Sequence, residues 1–227
     1  MFKGLEVDDK LITFWTSLIL LPWTLKPLWS PFLELFRTKK FFVIVTQLIT
    51  GVTFGLVAFA LNLSHFFSIS IALLAIVAFS GATHDIACDG VYMSELSNED
   101  QAKFIGWQGA FYNIAKILAT GGLVYLAGYF IELNADAGLL IANKRAWMII
   151  LLILSVTMIL LGIYHLFALP STQSASSKKT LRSNKEVMKE LGQVLMDFFR
   201  KTHITYYIFF IILYRFAEGF VMKLSLI

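Results

Sequence analysis

Charge is what this sequence has least of. Only 15% of its 227 residues are Asp, Glu, Lys or Arg, where a soluble domain carries about a quarter. Cysteine is down to one residue, Cys88, so no intrachain disulfide can form. Histidine is sparse and scattered, at His65, His84, His165 and His203, without the spacing of a metal site. No nucleophile–base set is discernible either, so the expectation is no enzyme, no metal and no cofactor. The first six residues lack the basic, apolar and small-residue regions of a signal peptide. The net charge of +4 makes no case for nucleic acid, because the basic residues fall between apolar runs. What remains is apolar: 58% of the chain, with mean hydropathy +0.73. The composition predicts an all-α, polytopic helix bundle in a lipid bilayer.

Six apolar runs are long enough to cross a membrane. The first covers residues 11–29 and contains Pro22 and Pro27, which remove backbone donors and should kink or end a helix. A charged loop with Glu34, Arg37, Lys39 and Lys40 follows. The second run, 41–61, has no charge; its Gly51 and Gly55 form a G-x-x-x-G suited to close helix packing. The third, 66–93, carries acids in its later half. The fourth, 104–131, contains Gln108, Tyr112, Asn113 and Lys116. The fifth, 146–169, is uncharged but for a possible His165, and the sixth starts near residue 204 with Arg215, Glu218 and Lys223. Three parts result: an amino-terminal bundle of about five spans (1–169), a basic linker (170–203) and the first span of a second bundle (204–227). Within the linker, Val187, Leu191, Val194, Leu195 and Phe198 recur at helical spacing, as in an amphipathic surface helix.

The stretch Ser80-Gly81-Ala82-Thr83-His84-Asp85-Ile86-Ala87-Cys88-Asp89-Gly90-Val91-Tyr92 organises the rest. Asp85 and Asp89 are four residues apart and share a helix face. Ionisable groups at membrane depth are costly and face a bundle interior or a wet cavity. A structural ion-pair network is the plainer alternative for these acids. His84 projects about 100° from Asp85 and reads as a hydrogen-bonded interior residue beside the cavity. Arg215 and Glu218, three apart, share a face and could neutralise each other. Spans two and five, being uncharged, are expected to face lipid; spans three, four and six are expected to face protein or water.

Basic residues concentrate in alternate loops, around Lys26–Lys40, at Lys103 and through the linker. This bias places the linker in the cytoplasm and the amino terminus outside. Asp85 lies nine residues before Ser94, or about 14 Å from the cytoplasmic end. Lys116 lies twelve residues after Phe104, or about 18 Å from the same side. Their similar depths predict that Lys116 pairs with Asp85 or Asp89.

The motif Leu21-Pro22-Trp23-Thr24-Leu25-Lys26-Pro27-Leu28-Trp29-Ser30-Pro31, followed by Ala82-Thr83-His84-Asp85-Ile86-Ala87-Cys88-Asp89-Gly90-Val91-Tyr92, resembles the muropeptide permease (AmpG-type) branch of the major facilitator superfamily. Tyr214-Arg215-Phe216-Ala217-Glu218 is similar to the start of the second half in that branch. The resemblance implies that the six spans are the second to seventh of twelve, so that the first helix and most of the second half would be missing from a fragment. It also implies peripheral positions for spans two and five. The superfamily's loop signature of a glycine, an acid and a basic end would fall on Ser30, Glu34, Lys39 and Lys40, a cytoplasmic gate latch.

The expected function is therefore a secondary active transporter of a bacterial inner membrane, a proton-coupled importer of anhydro-muropeptides for cell-wall recycling. Asp85 and Asp89 are the proton-coupling candidates. Lys116, Asn113, Gln108, His84, Arg215 and Glu218 are candidates for the solute cavity. The partners expected are a small solute, protons and the bilayer. The rivals are a major facilitator-type carrier of acyl-CoA, sugar or drug and, from another class, a membrane-bound sensor or enzyme.

Overall fold

In the computed structural model the described residues are 1–36, 38–170, 189, 192–193, 196–197, 199–210 and 213–214; the side chains of 31–32 and 34–36 are not among them. The chain divides into two compact units, Met1–Ser177 and Lys178–Ile227. Within the second, residues 204–210 are helical. Arg37, Arg215, Glu218 and the five apolar positions of the expected surface helix lie outside the described residues.

The first unit is all-α, with no strand among the described residues. Its helices are α1 (Asp9–Ile19), α2 (Leu21–Phe36), α3 (Lys39–Ala60), α4 (Phe66–Glu95), α5 (Asn98–Ile117), α6 (Leu123–Leu133) and α7 (Leu139–Ala168). Among the described residues five stretches are long and apolar enough to span a bilayer, and α1 with most of α2 makes the first of them, Asp9–Ser30. The break between α1 and α2 falls at Leu20, just before Pro22. Proline is tolerated in a first helical turn, where its missing N–H has no intrahelical acceptor. Pro27 and Pro31 lie within α2 without ending it.

Short polar side chains start the helices. Asp8 accepts from the Lys10 and Leu11 amides at 2.9 and 3.2 Å, Thr38 from Phe41 at 3.2 Å, and Ser97 from Asp100 at 3.2 Å. Each satisfies N–H groups that have no partner inside the helix. Between α5 and α6 the helix widens into a π segment, Leu118–Gly122. At Gly138 the backbone has φ 88°, a value that suits glycine, and α7 begins.

The core is built around α3, which packs against both α4 and α7. This corrects the expectation that the second span is peripheral. Lack of charge suits a helix to lipid, but equally to a closely packed interior, and α3 does both. Ile49, Val52, Leu56 and Phe59 are exposed on one side, whereas Val43, Thr46, Gln47, Thr50 and Val57 are buried on the other. Glycine makes the close approach possible. A Cβ on Gly51 would stand 2.7 Å from Ile159 Cγ1 and 3.0 Å from the Ser155 carbonyl oxygen; one on Gly55 would stand 3.1 Å from Ser155 Oγ. From α7, a Cβ on Gly162 would lie 3.1 Å from Leu48 Cδ2. At one end, Leu5 of the short amino-terminal turn joins Val57, Ala58, Leu61 and Leu151 in a buried apolar cluster.

A polar seam runs through the same contact. The Ser80 hydroxyl donates to the Thr46 carbonyl at 2.8 Å and accepts from Thr50 Oγ1 at 3.0 Å. His84 Nδ1 is 3.0 Å from Thr46 Oγ1, and its Nε2 is 3.3 Å from Cys88 Sγ. Thr46 Oγ1 also donates to the Phe42 carbonyl at 2.6 Å, which leaves it to accept from His84. That assignment puts the ring proton on Nδ1 and makes Nε2 the acceptor for the Cys88 thiol. A neutral imidazole is then satisfied at both nitrogens. From α7, His165 Nδ1 is 2.8 Å from Gln47 Oε1. Hydrogen bonds between helices hold a bundle together where lipid supplies no hydrophobic drive.

The glycine contact carries a stability prediction. Gly51→Leu forces a side chain against the α7 backbone and should cost about 1–3 kcal/mol, the usual range for overpacking. In detergent its thermal midpoint should fall by several degrees. Gly128→Leu, where a Cβ meets nothing within 4 Å, should leave it near the wild-type value. Equal midpoints for the two variants would rule out close α3–α7 packing.

Candidate functional site

His84 and Asp85 are neighbours in sequence and serve different faces of α4. A helix turns about 100° per residue, so when His84 is drawn to Thr46 of α3, Asp85 is carried round to another side. There it meets α2. Asp85 Oδ2 accepts a hydrogen bond from Lys26 Nζ, and the two form an ion pair. Trp23, one turn earlier on α2, lies over Gly81, one turn earlier on α4: a Cβ on Gly81 would be 3.2 Å from the indole. The spacing of three on α2 against four on α4 sets Trp23 on Gly81 and Lys26 on Asp85. Trp29 stacks at a tilt on Phe79, with ring centroids 4.7 Å apart.

The pairing expected between Lys116 and Asp85 is not what the structure shows. Asp85 is taken by Lys26, and Lys116 has no hydrogen-bond or ion-pair partner for its ammonium among the described residues. Matching depth along two consecutive helices leaves their separation undetermined. None of the α5 residues is buried. Its link to α4 is near the loop, where Tyr92 donates to the Gln101 carbonyl at 2.7 Å and Gln101 Nε2 donates to the Leu96 carbonyl at 2.9 Å. Gln108, Asn113 and Lys116 are all exposed on this helix, and Asn113 turns back to donate to the Gly109 carbonyl at 2.8 Å.

Asp89 follows Asp85 by one turn on the exposed side of α4 and feels the charges of both Asp85 and Lys26. Lys39, near the start of α3, lays its side chain across Gly90; a Cβ there would fall 2.7 Å from Lys39 Cδ. Its neighbour Lys40 donates to the Leu169 carbonyl at 2.6 Å, at the carboxyl end of α7. A cation at that end is favoured by unpaired carbonyls and the helix dipole. The gate-loop lysines therefore reach two different helices, while the Glu34 side chain lies outside the described set.

Of the proposed site residues, the structure brings together Asp85 and Asp89, adds Lys26, and assigns His84 to the packing seam. Sequence reading counted Lys26 with the loop cations, although it lies within the first apolar run. The signal that could have found it is the apolar run through Leu25, Leu28 and Trp29, which carries the helix past both prolines.

The site is thus a small charged cluster on one side of an otherwise apolar bundle. It holds two carboxylates and a lysine at membrane depth. Asp85 lies ten residues before the end of α4, or about 15 Å, in a 30-residue helix longer than a hydrocarbon core of about 30 Å. Among the described residues no group of three or more His, Cys, Asp or Glu could hold a metal ion. Residues 1–217 match the BT1 family model. No curated protein and no solved structure matches the chain. This multi-pass chain belongs to the BT1 family of membrane transporters, which includes major facilitator-type permeases such as AmpG-like ones.

Proposed function

We propose that the protein is a proton-coupled secondary transporter that imports anhydro-muropeptides across a bacterial inner membrane for cell-wall recycling. The observation that supports this most is the carboxylate pair Asp85 and Asp89, held one turn apart at membrane depth beside Lys26. Carboxylates in that setting take up and release protons as the cavity opens to one side and then the other. Both acids are exposed in the first unit. The cargo is carried by the resemblance of the two sequence motifs.

In this reading a proton enters from outside onto Asp85 or Asp89, the solute binds, and two bundles rock about a midplane site. Gln108, Asn113 and Lys116 offer polar contacts from α5, with Arg215 and Glu218 contributing from the second bundle. Glu34, Lys39 and Lys40 form the cytoplasmic latch, and the hold of Lys40 on the end of α7 fits that role.

The decisive experiment is uptake of labelled anhydro-muropeptide into vesicles with and without an imposed proton gradient. Uptake should require the gradient, and Asp85→Asn should lose gradient-driven accumulation. Uptake of an acyl-CoA, a sugar or a drug in its place would keep the transporter and change the cargo.

The latch has its own signature. Glu34→Gln should lower the maximal transport rate several-fold and leave the half-saturating concentration within about twofold, since a gate that does not touch solute alters turnover. A change confined to affinity would remove Glu34 from the gate.

A further inference from the structure

The ion pair between α2 and α4 is unequal in its exposure. Lys26 keeps 24% of its side-chain surface, whereas Asp85 keeps 52%. The ammonium is the more enclosed partner and the carboxylate the more accessible one. Lys26 comes from α2, Asp89 from the same face of α4 as Asp85, and Lys39 from α3 by way of Gly90. His84, though adjacent to Asp85, points to α3 and is engaged with Thr46 and Cys88. Nothing in the packing seam competes for Lys26.

We infer that Lys26 is the anion-binding residue of the transport site, and that Asp85 occupies it until protonated, so that a solute carboxylate and a proton are taken up together. This rests on the transporter reading and adds its substrate chemistry: a carboxylate-bearing solute held by a lysine. An ionised carboxylate accepts a charge-assisted hydrogen bond from an ammonium, roughly twice as strong as a neutral one. A proton on Asp85 removes that advantage and turns the group into a donor. The ammonium is then free for an incoming carboxylate.

The charges balance through the step. Before it, the cluster holds the Lys26 ammonium and the Asp85 carboxylate. Afterwards it holds the ammonium, a neutral Asp85 and the solute carboxylate, so one proton enters for each carboxylate bound and the net charge is unchanged. A low-dielectric site tolerates an exchange of this kind, where binding an anion alone would leave a net charge at membrane depth. The second carboxylate, Asp89, lies one turn on along the same exposed side of α4.

The full chain, reconstituted in liposomes, would be tested for binding of N-acetylglucosaminyl-anhydro-muramyl tripeptide and of the same compound with its carboxylates converted to amides. Wild type should take up one proton for each anionic probe bound, read as alkalinisation of a weakly buffered suspension. Lys26→Met should weaken its binding at least about tenfold, the loss of one charge-assisted contact, and abolish the proton uptake. The same variant should hold the amide probe within about twofold. Asp85→Asn should bind the anionic probe without taking up a proton, and Lys26→Arg should restore most of the binding. Lys26→Met with Asp85→Asn removes both charges together, so it should fold without an unpaired ion and still fail to select the anionic probe. Equal loss of both probes in Lys26→Met and in this double variant would make the pair structural and overturn the inference. So would wild-type affinity for the anionic probe in Lys26→Met. If the folded wild type binds neither probe, the muropeptide reading is wrong and the inference falls with it. Binding by wild type that Lys26→Met leaves intact overturns the inference alone.

Discussion

The close contact of α3 with α4 and α7 is the constraint on which the rest of the bundle depends. In a bilayer, helices gain nothing by hiding apolar side chains from lipid, so association rests on close packing and on hydrogen bonds between helices. Helix α3 supplies both. Gly51 and Gly55 let the α7 backbone approach, and Thr46, Gln47 and Thr50 offer hydrogen bonds to Ser80, His84 and His165. None of these groups carries a formal charge with His84 neutral, so the seam is satisfied without an ion in the interior. Each bond is modest, about 0.6 kcal/mol on average for such contacts in membranes. Their number and the directions they impose fix the rotation of α4 about its own axis.

That rotation decides where the acids go. With Ser80, His84 and Cys88 turned to α3, Gly81, Asp85 and Asp89 must turn elsewhere, because the two sets are offset by one residue and hence by about 100°. The second set meets α2. There a lysine flanked by prolines lies at the level of Asp85, and Trp23 lies on the glycine that leaves it room. The packing residues and the charged residues of the central stretch are thus interleaved in sequence and separated in space. A substitution in one set need not disturb the other, and packing can be firm next to a charged cluster.

Much of the architecture was legible in the sequence. The apolar runs and their polar breaks gave an all-helical bundle, and the helix break before Pro22 followed from proline chemistry. The glycine pair of α3 was read as packing and serves it. His84 was read as a hydrogen-bonded interior residue, as observed. Two things were not legible. Charge content did not tell which spans lie at the periphery, since α3 has no charge in its core and yet is the helix at the centre of the packing. Depth along a span did not tell which cation reaches Asp85, since depth is one coordinate and pairing needs three. Lys26 was counted with the loop cations although it lies within the first apolar run, whose prolines are accommodated in a transmembrane helix.

A lysine on α2 has a consequence that one on α5 would not have. Helices α2 and α4 are already in contact through Trp23 and Gly81, so the Lys26–Asp85 pair adds a charged tie to an existing joint. Neutralising Asp85 weakens that tie without removing the aromatic contact beside it. The joint can then loosen and re-form at a defined place, with Trp23 as its pivot. A tie reaching across open space to α5 would instead have to reassemble two separated helices whenever the charge returned. In the proposed cycle, protonation of Asp85 is then a local event, confined to one turn of α4, and still couples to the relation between two membrane-spanning helices.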